Sequence, residues 1–195
     1  MVRSHHGTDK RERSGAPRLE EARPVDRPHP TRREEEATVR TCSDVHNYLE
    51  EAGVAHEMLP LPDRSTTAQR AADLLGVSLD EIVKSLLFLV DGVPTLVLVP
   101  GGARVHAGAL AEGLGASEVI LAPPEDVLAT TGFPVGAVPP CGLGGDLPVV
   151  ADPEAFAPPV VYCGGGAAAT MLKIRSADLK TLLKPRILDV TERAT

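Results

Sequence analysis

Hydrophobic positions in this chain switch repeatedly between helical spacing and short continuous apolar runs. Val45, Tyr48, Leu49 and Ala52 share one helical face, with Thr41 or Ser43 ahead as a cap and Gly53 behind as a stop. Residues 54–59 read as a short strand. Thr66 and Gln69 have the capping-box spacing before Ala71, Ala72 and Leu75, a helix that Gly76 ends. Ser78 and Glu81 repeat that spacing before a brief helical turn. The clearest element is a hairpin, with runs 84–90 and 93–99 joined by Asp91-Gly92. Both runs are apolar on both faces, which predicts a covering layer on each side. A helix around Ala109, Leu110 and Leu114 ends at Gly115, strand 118–122 follows, and Gly132 closes a helix over 124–131. Strands are predicted at 147–151, 160–163 and 170–174. A helix over 177–183, capped by Ser176, and a closing segment at 187–190 complete the chain. Interleaved strands and helices that include hairpins predict a mixed α/β (α+β) fold, a mixed sheet with helices around it.

Residues 1–38 break this pattern. Charges of both signs are dense, Pro17, Pro24, Pro28 and Pro30 interrupt any period, and aromatic residues are missing. Such a segment buries too little apolar area to offset its conformational entropy and is expected to be a disordered tail. The domain is expected over 39–195. With aromatics at 3%, Val, Leu, Ala and Ile must build its core. The net charge of −7 argues against a surface that grips long nucleic acid. Cys42, Cys141 and Cys163 form no paired spacing, which predicts a cytoplasmic protein without a disulfide framework. No apolar run reaches membrane-spanning length.

Three places carry candidate chemistry. Lys84 shares a strand face with Leu86, Phe88 and Val90; it either enters a cleft to hold an anion or snorkels to solvent. The track from Thr131 to Gly145 is rich in Gly and Pro, and such backbone offers N–H groups close to a ligand. Gly164-Gly165-Gly166 is either a second close-approach wall or a hairpin turn. Cys141 lies in the Gly/Pro track without a neighbouring histidine, so it reads as a structural residue rather than a nucleophile. Cys42 and His46 lie one helical turn apart, but two ligands do not make a metal site.

The segments TTAQRAADLLGV, IVKSLLFLVDGVPTLVLVPG and TGFPVGAVPP, followed by the glycine run and the SADL helix, resemble the YbaK/prolyl-tRNA synthetase editing-domain family over residues 41–191. The resemblance implies a compact domain with a barrel-like mixed sheet, no cofactor and no metal. It implies hydrolysis of mischarged aminoacyl-tRNA, with the tRNA acceptor end as partner, an aminoacyl-tRNA synthetase as a further partner, and neither DNA nor membrane. Lys84 matches the family's functional lysine and Gly136 its loop glycine beside the scissile ester. Thr67, Leu61 and Met171 are expected to size the amino-acid pocket, with Val135, Ala137, Pro139, Cys141 and Gly165 also lining it. The chain departs from the family pattern at Gly102, where an acidic residue is common, at Cys141, where an aromatic residue followed by a histidine is common, and at residues 164–169 and Met171, where a polar or acidic residue or a histidine is common. A non-catalytic binding module, or a pocket for a small amino-acid or acyl ligand, therefore stays open beside the hydrolase.

Overall fold

A computed structural model describes residues 39–62 and 67–192. The charged segment 1–38, Thr66 and residues 193–195 lie outside these described residues. Helices are α1 (Cys42–Glu51), α2 (Ala68–Leu75), α3 (Ala107–Leu114), α4 (Pro124–Thr131) and α5 (Ser176–Leu183). Strands are β1 (His56–Pro60), β2 (Ile82–Val90), β3 (Val93–Pro100), β4 (Val119–Leu121), β5 (Val149–Ala151), β6 (Val160–Ala167), β7 (Thr170–Arg175) and β8 (Arg186–Ile187). No described helix is long and apolar enough to cross a membrane.

Local chemistry explains most boundaries. Thr41 starts α1, its N–H donating to the Asp44 carboxylate at 2.7 Å. Thr67 caps α2, its hydroxyl accepting from the Arg70 N–H at 3.1 Å. Gly76, Gly115 and Gly132 end α2, α3 and α4 in the left-handed region, which glycine enters without a Cβ penalty. Asp91 (φ 48°) and Gly92 (φ 80°) give the two left-handed residues of a tight hairpin turn.

Two expectations need correction. The strand predicted to stop at Cys163 continues through the glycine run to Ala167, so Gly164–Gly166 are strand residues and the hairpin turns beyond them. Ser176 is the first residue of α5 rather than its cap: its hydroxyl donates to the Pro158 carbonyl, and Arg175 occupies the cap position.

The strands form one mixed sheet in the order β1-β7-β6-β2-β3-β5-β8, with β4 paired to β2 outside that path. β2/β6, β3/β5 and β5/β8 are parallel and the other pairs antiparallel. One face carries the main core, where Val45 and Leu49 of α1 meet Phe133, Cys163 and Leu172. Phe88, Val97 and Val99 pack with Leu110 of α3 on the other face. A third cluster seats α2, through Ala71 and Ala72, on Leu61, Ile82 and Met171.

Candidate functional site

The site arises where β2 forks. On the edge away from β3, β2 pairs with β6 at Ile82 and Val83 and with β4 from Phe88 to Val90. Among the described residues, no strand pairs with that edge between these two contacts. The Gly101 N–H donates to the Ile82 carbonyl, and the Ala122 N–H to the Leu87 carbonyl. Antiparallel alternation then fixes the rest: even-numbered residues of β2 bond β3, and odd-numbered ones face the fork. The N–H and C=O of Ser85 and the N–H of Leu87 therefore point into the gap.

A cavity of about 560 Å³ fills that fork, a size typical of small-ligand sites. Its walls are the first turn of α2, the open stretch of β2, the end of β4, Val127 of α4, Gly164 of β6, Met171 of β7 and the loop through Gly136. Ser85 lines it, and the Ser85 hydroxyl is buried without a hydrogen-bond partner. A buried unpaired hydroxyl costs about 1–3 kcal/mol, a cost that a ligand supplying the missing partner would relieve.

The loop reaches the cavity through two glycines of different kinds. The Ala137 N–H closes a turn onto the Pro134 carbonyl at 3.0 Å, with Gly136 at φ 85° in its third position, where glycine is favoured. Gly136 is exposed, and its N–H has no backbone acceptor among the described residues. Gly164 instead permits contact: a Cβ there would lie 2.5 Å from the Val138 carbonyl oxygen. Gly166, at φ 89°, leaves room for Phe133 and the Cys42 backbone, and its N–H donates to the Ala137 carbonyl at 3.0 Å. The glycine run is thus the close-approach wall that presses the loop onto β6.

Lys84 supplies the only ionisable side chain among the described residues lining the cavity. It is half-buried, and its Nζ donates to the Ala103 carbonyl at 2.5 Å, just past the Gly101-Gly102 turn. Burial, and secondarily the nearby Arg104 guanidinium, hold its pKa below the ordinary lysine value. A cation held among apolar groups beside a second cation favours an anionic partner.

Lys84, Gly136, Thr67, Val135 and Met171 all line the cavity. Leu61 does not line it and belongs with Met171 to the third cluster. Ala137, Pro139 and Cys141 are buried and do not line the cavity, and Gly165 packs against the Thr170 backbone while Gly164 faces the space. Cys141 is only 3% exposed, and burial pushes its pKa up to about 12, as suits a structural residue. The sequence reading missed Ser85, although a lone hydroxyl in an apolar run was its signal. It also missed the end of β4, which reaches the site only through the fork.

Three comparisons bear on this arrangement. The profile of a family described as the aminoacyl-tRNA editing domain matches residues 63–182. Proline–tRNA ligase from Nitratidesulfovibrio vulgaris (strain DP4) is 44% identical over 103 residues, 53% of this chain and 18% of that protein. The enzyme of the same description from Citrifermentans bemidjiense is 32% identical over 126 residues, 62% of this chain and 22% of that protein. The chain thus spans about a fifth of these curated relatives. A crystal structure provisionally described as a trans-editing enzyme for prolyl tRNA synthetase superposes with a TM-score of 0.73 at 31% identity, covering 78% of this chain and 97% of that one. A solved structure of a hypothetical protein gives 0.72 at 33% identity, covering 76% and 99%.

Proposed function

Because this chain belongs to the aminoacyl-tRNA editing domain family, we propose that it hydrolyses the ester of a mischarged aminoacyl-tRNA as a trans-acting deacylase for a small or unusual amino acid. The observation that carries this reading is the pairing across one apolar cavity of a cationic and hydroxyl strip, Lys84-Ser85, with the exposed Gly136 turn.

Each part has a chemical task. Lys84, with Arg104 nearby, attracts the terminal phosphate and ribose of the acceptor end. The Ser85 carbonyl and hydroxyl accept from the substrate's α-ammonium group. The Gly136 N–H holds the ester carbonyl as negative charge develops on it. An aminoacyl ester is already activated, so positioning a water against it supplies much of the rate. No carboxylate or imidazole lines the cavity among the described residues. In this reading the substrate's own free ribose hydroxyl relays the water's proton to the departing ribose oxygen as the ester C–O bond breaks.

The lack of a carboxylate or imidazole among the described lining residues also favours a second reading, a module that binds aminoacyl-tRNA or a synthetase without turnover. Amino-acid release from a panel of mischarged tRNAs, including tRNA-Pro carrying Ala or Cys, separates the two. The deacylase reading expects release that falls roughly a hundredfold or more in Lys84→Ala while circular dichroism stays unchanged. Tight, salt-sensitive binding with no release across the panel would sink the enzyme and leave the binding module.

A further inference from the structure

Away from the cavity, α1 and β1 bring together three metal-ligating side chains, and we propose that His46, Glu50 and His56 form a site for a divalent transition-metal cation such as Zn(II). One ligand atom from each lies within 4.8 Å of the other two. His46 and Glu50 are four residues apart on α1, so they project from the same helical face. His56 opens β1, just past the Gly53 turn.

The geometry of His56 is that of a ligand set in advance. Its Nδ1 lies 2.8 Å from the Val54 carbonyl oxygen, which can only accept, so Nδ1 carries the proton. In the neutral ring Nε2 then holds the lone pair, and it lies 2.9 Å from His46 Nδ1. A backbone carbonyl that fixes one ring nitrogen and orients the other is the usual outer support of a metal-bound histidine. Two imidazole nitrogens bound at about 2.0–2.1 Å stand roughly 2.9 Å apart at a right angle and about 3.3 Å apart in a tetrahedron. The observed spacing therefore accepts a cation with a shift of a few tenths of an ångström. His46 is exposed, so its proton can move from Nδ1 to Nε2 as the cation enters. The Glu50 carboxylate makes no hydrogen bond or ion pair with any described residue and supplies the third ligand. Two nitrogens and one oxygen suit Zn(II), Ni(II) or Cu(II) better than Ca(II) or Mg(II). Water completes the coordination.

Bound there, the cation would clip the second half of α1 to the start of β1. α1 backs the loop wall of the cavity, since Gly142 and Gly166 both lack a Cβ where α1 passes. The site thus stabilises the fold from behind the pocket, without taking part in it.

The test uses the full chain after EDTA treatment, with Zn(II) and then Co(II) as probes. Wild type should bind Zn(II) in calorimetry and gain thermal stability, and His56→Gln and His46→Gln should each weaken that binding at least tenfold and abolish the gain. Co(II) should give visible d–d bands in wild type that the variants lose, a readout independent of stability. No Zn(II) binding in wild type would overturn the proposal. So would equal binding in wild type and His56→Gln, which would place the metal on His5, His6 or His29, or a sulfur-to-Co(II) charge-transfer band, which would place it on Cys42. Amino-acid release should be the same in His56→Gln as in wild type.

Discussion

Gly136 and Gly164 both line one cavity, and they are glycines for unrelated reasons. At Gly136 an added Cβ would meet nothing within 4 Å, yet the backbone sits at φ 85°. At Gly164 the backbone is ordinary, yet the space is already occupied by the Val138 carbonyl. One position requires a conformation and the other requires proximity. Substitutions at the two should therefore fail differently.

Gly164→Ala should do the most damage. A Cβ 2.5 Å from a backbone oxygen cannot be relieved by a rotamer change. The loop must lift from β6, costing about 3 kcal/mol in thermal or urea unfolding and abolishing amino-acid release. Gly136→Ala should cost less, about 1–2 kcal/mol for a left-handed non-glycine residue, with the fold and cavity intact by circular dichroism. If Gly136→Ala proved the more destabilising of the two, the assignment of conformation to one and contact to the other would be reversed.

Ser85→Ala sharpens the contrast from the facing strand. Removing a buried hydroxyl that has no partner should raise stability by about 1 kcal/mol while slowing release. A loss of stability instead would mean that the hydroxyl is satisfied in the free protein. The smallest effect concerns the thiols. With Cys141 near 12 from burial, about one part in ten thousand is thiolate at pH 8. Burial raises Cys163 further in the same direction. Iodoacetamide at pH 8 followed by peptide mass spectrometry should therefore label Cys42 and spare the other two.

The local elements were largely legible in the sequence because their causes are local. Asp91-Gly92 announced the hairpin, and Gly76, Gly115 and Gly132 announced three helix ends through their freedom at positive φ. Lys84 and the Gly/Pro track were visible as candidates because both are conspicuous in one dimension, while Gly136 within that track was singled out only by the family resemblance. The glycine run was the hardest segment, since glycine weakens strand pattern and the reason for it lies in a loop some 26 residues earlier in the chain. Ser85 was assigned to the correct strand but to no task, because the fork that exposes it depends on where β4 and β6 stop. The His46–His56 pair was invisible for a related reason: only the turn at Gly53 folds β1 back onto α1.

The fork in β2 also sets an order of events during synthesis. β3 and β4 follow within about thirty residues of β2, so one prong of the fork forms from contacts near in sequence. The other prong is β6, whose contacts with Ile82 and Val83 span some eighty residues and close a much larger loop. A ribosome-bound chain that has extruded α1 through α4 and the loop that follows holds Lys84, Ser85 and Gly136 but not the strand that completes the fork. Binding competence is therefore a late property of this chain, acquired only when the β6–β7 hairpin docks.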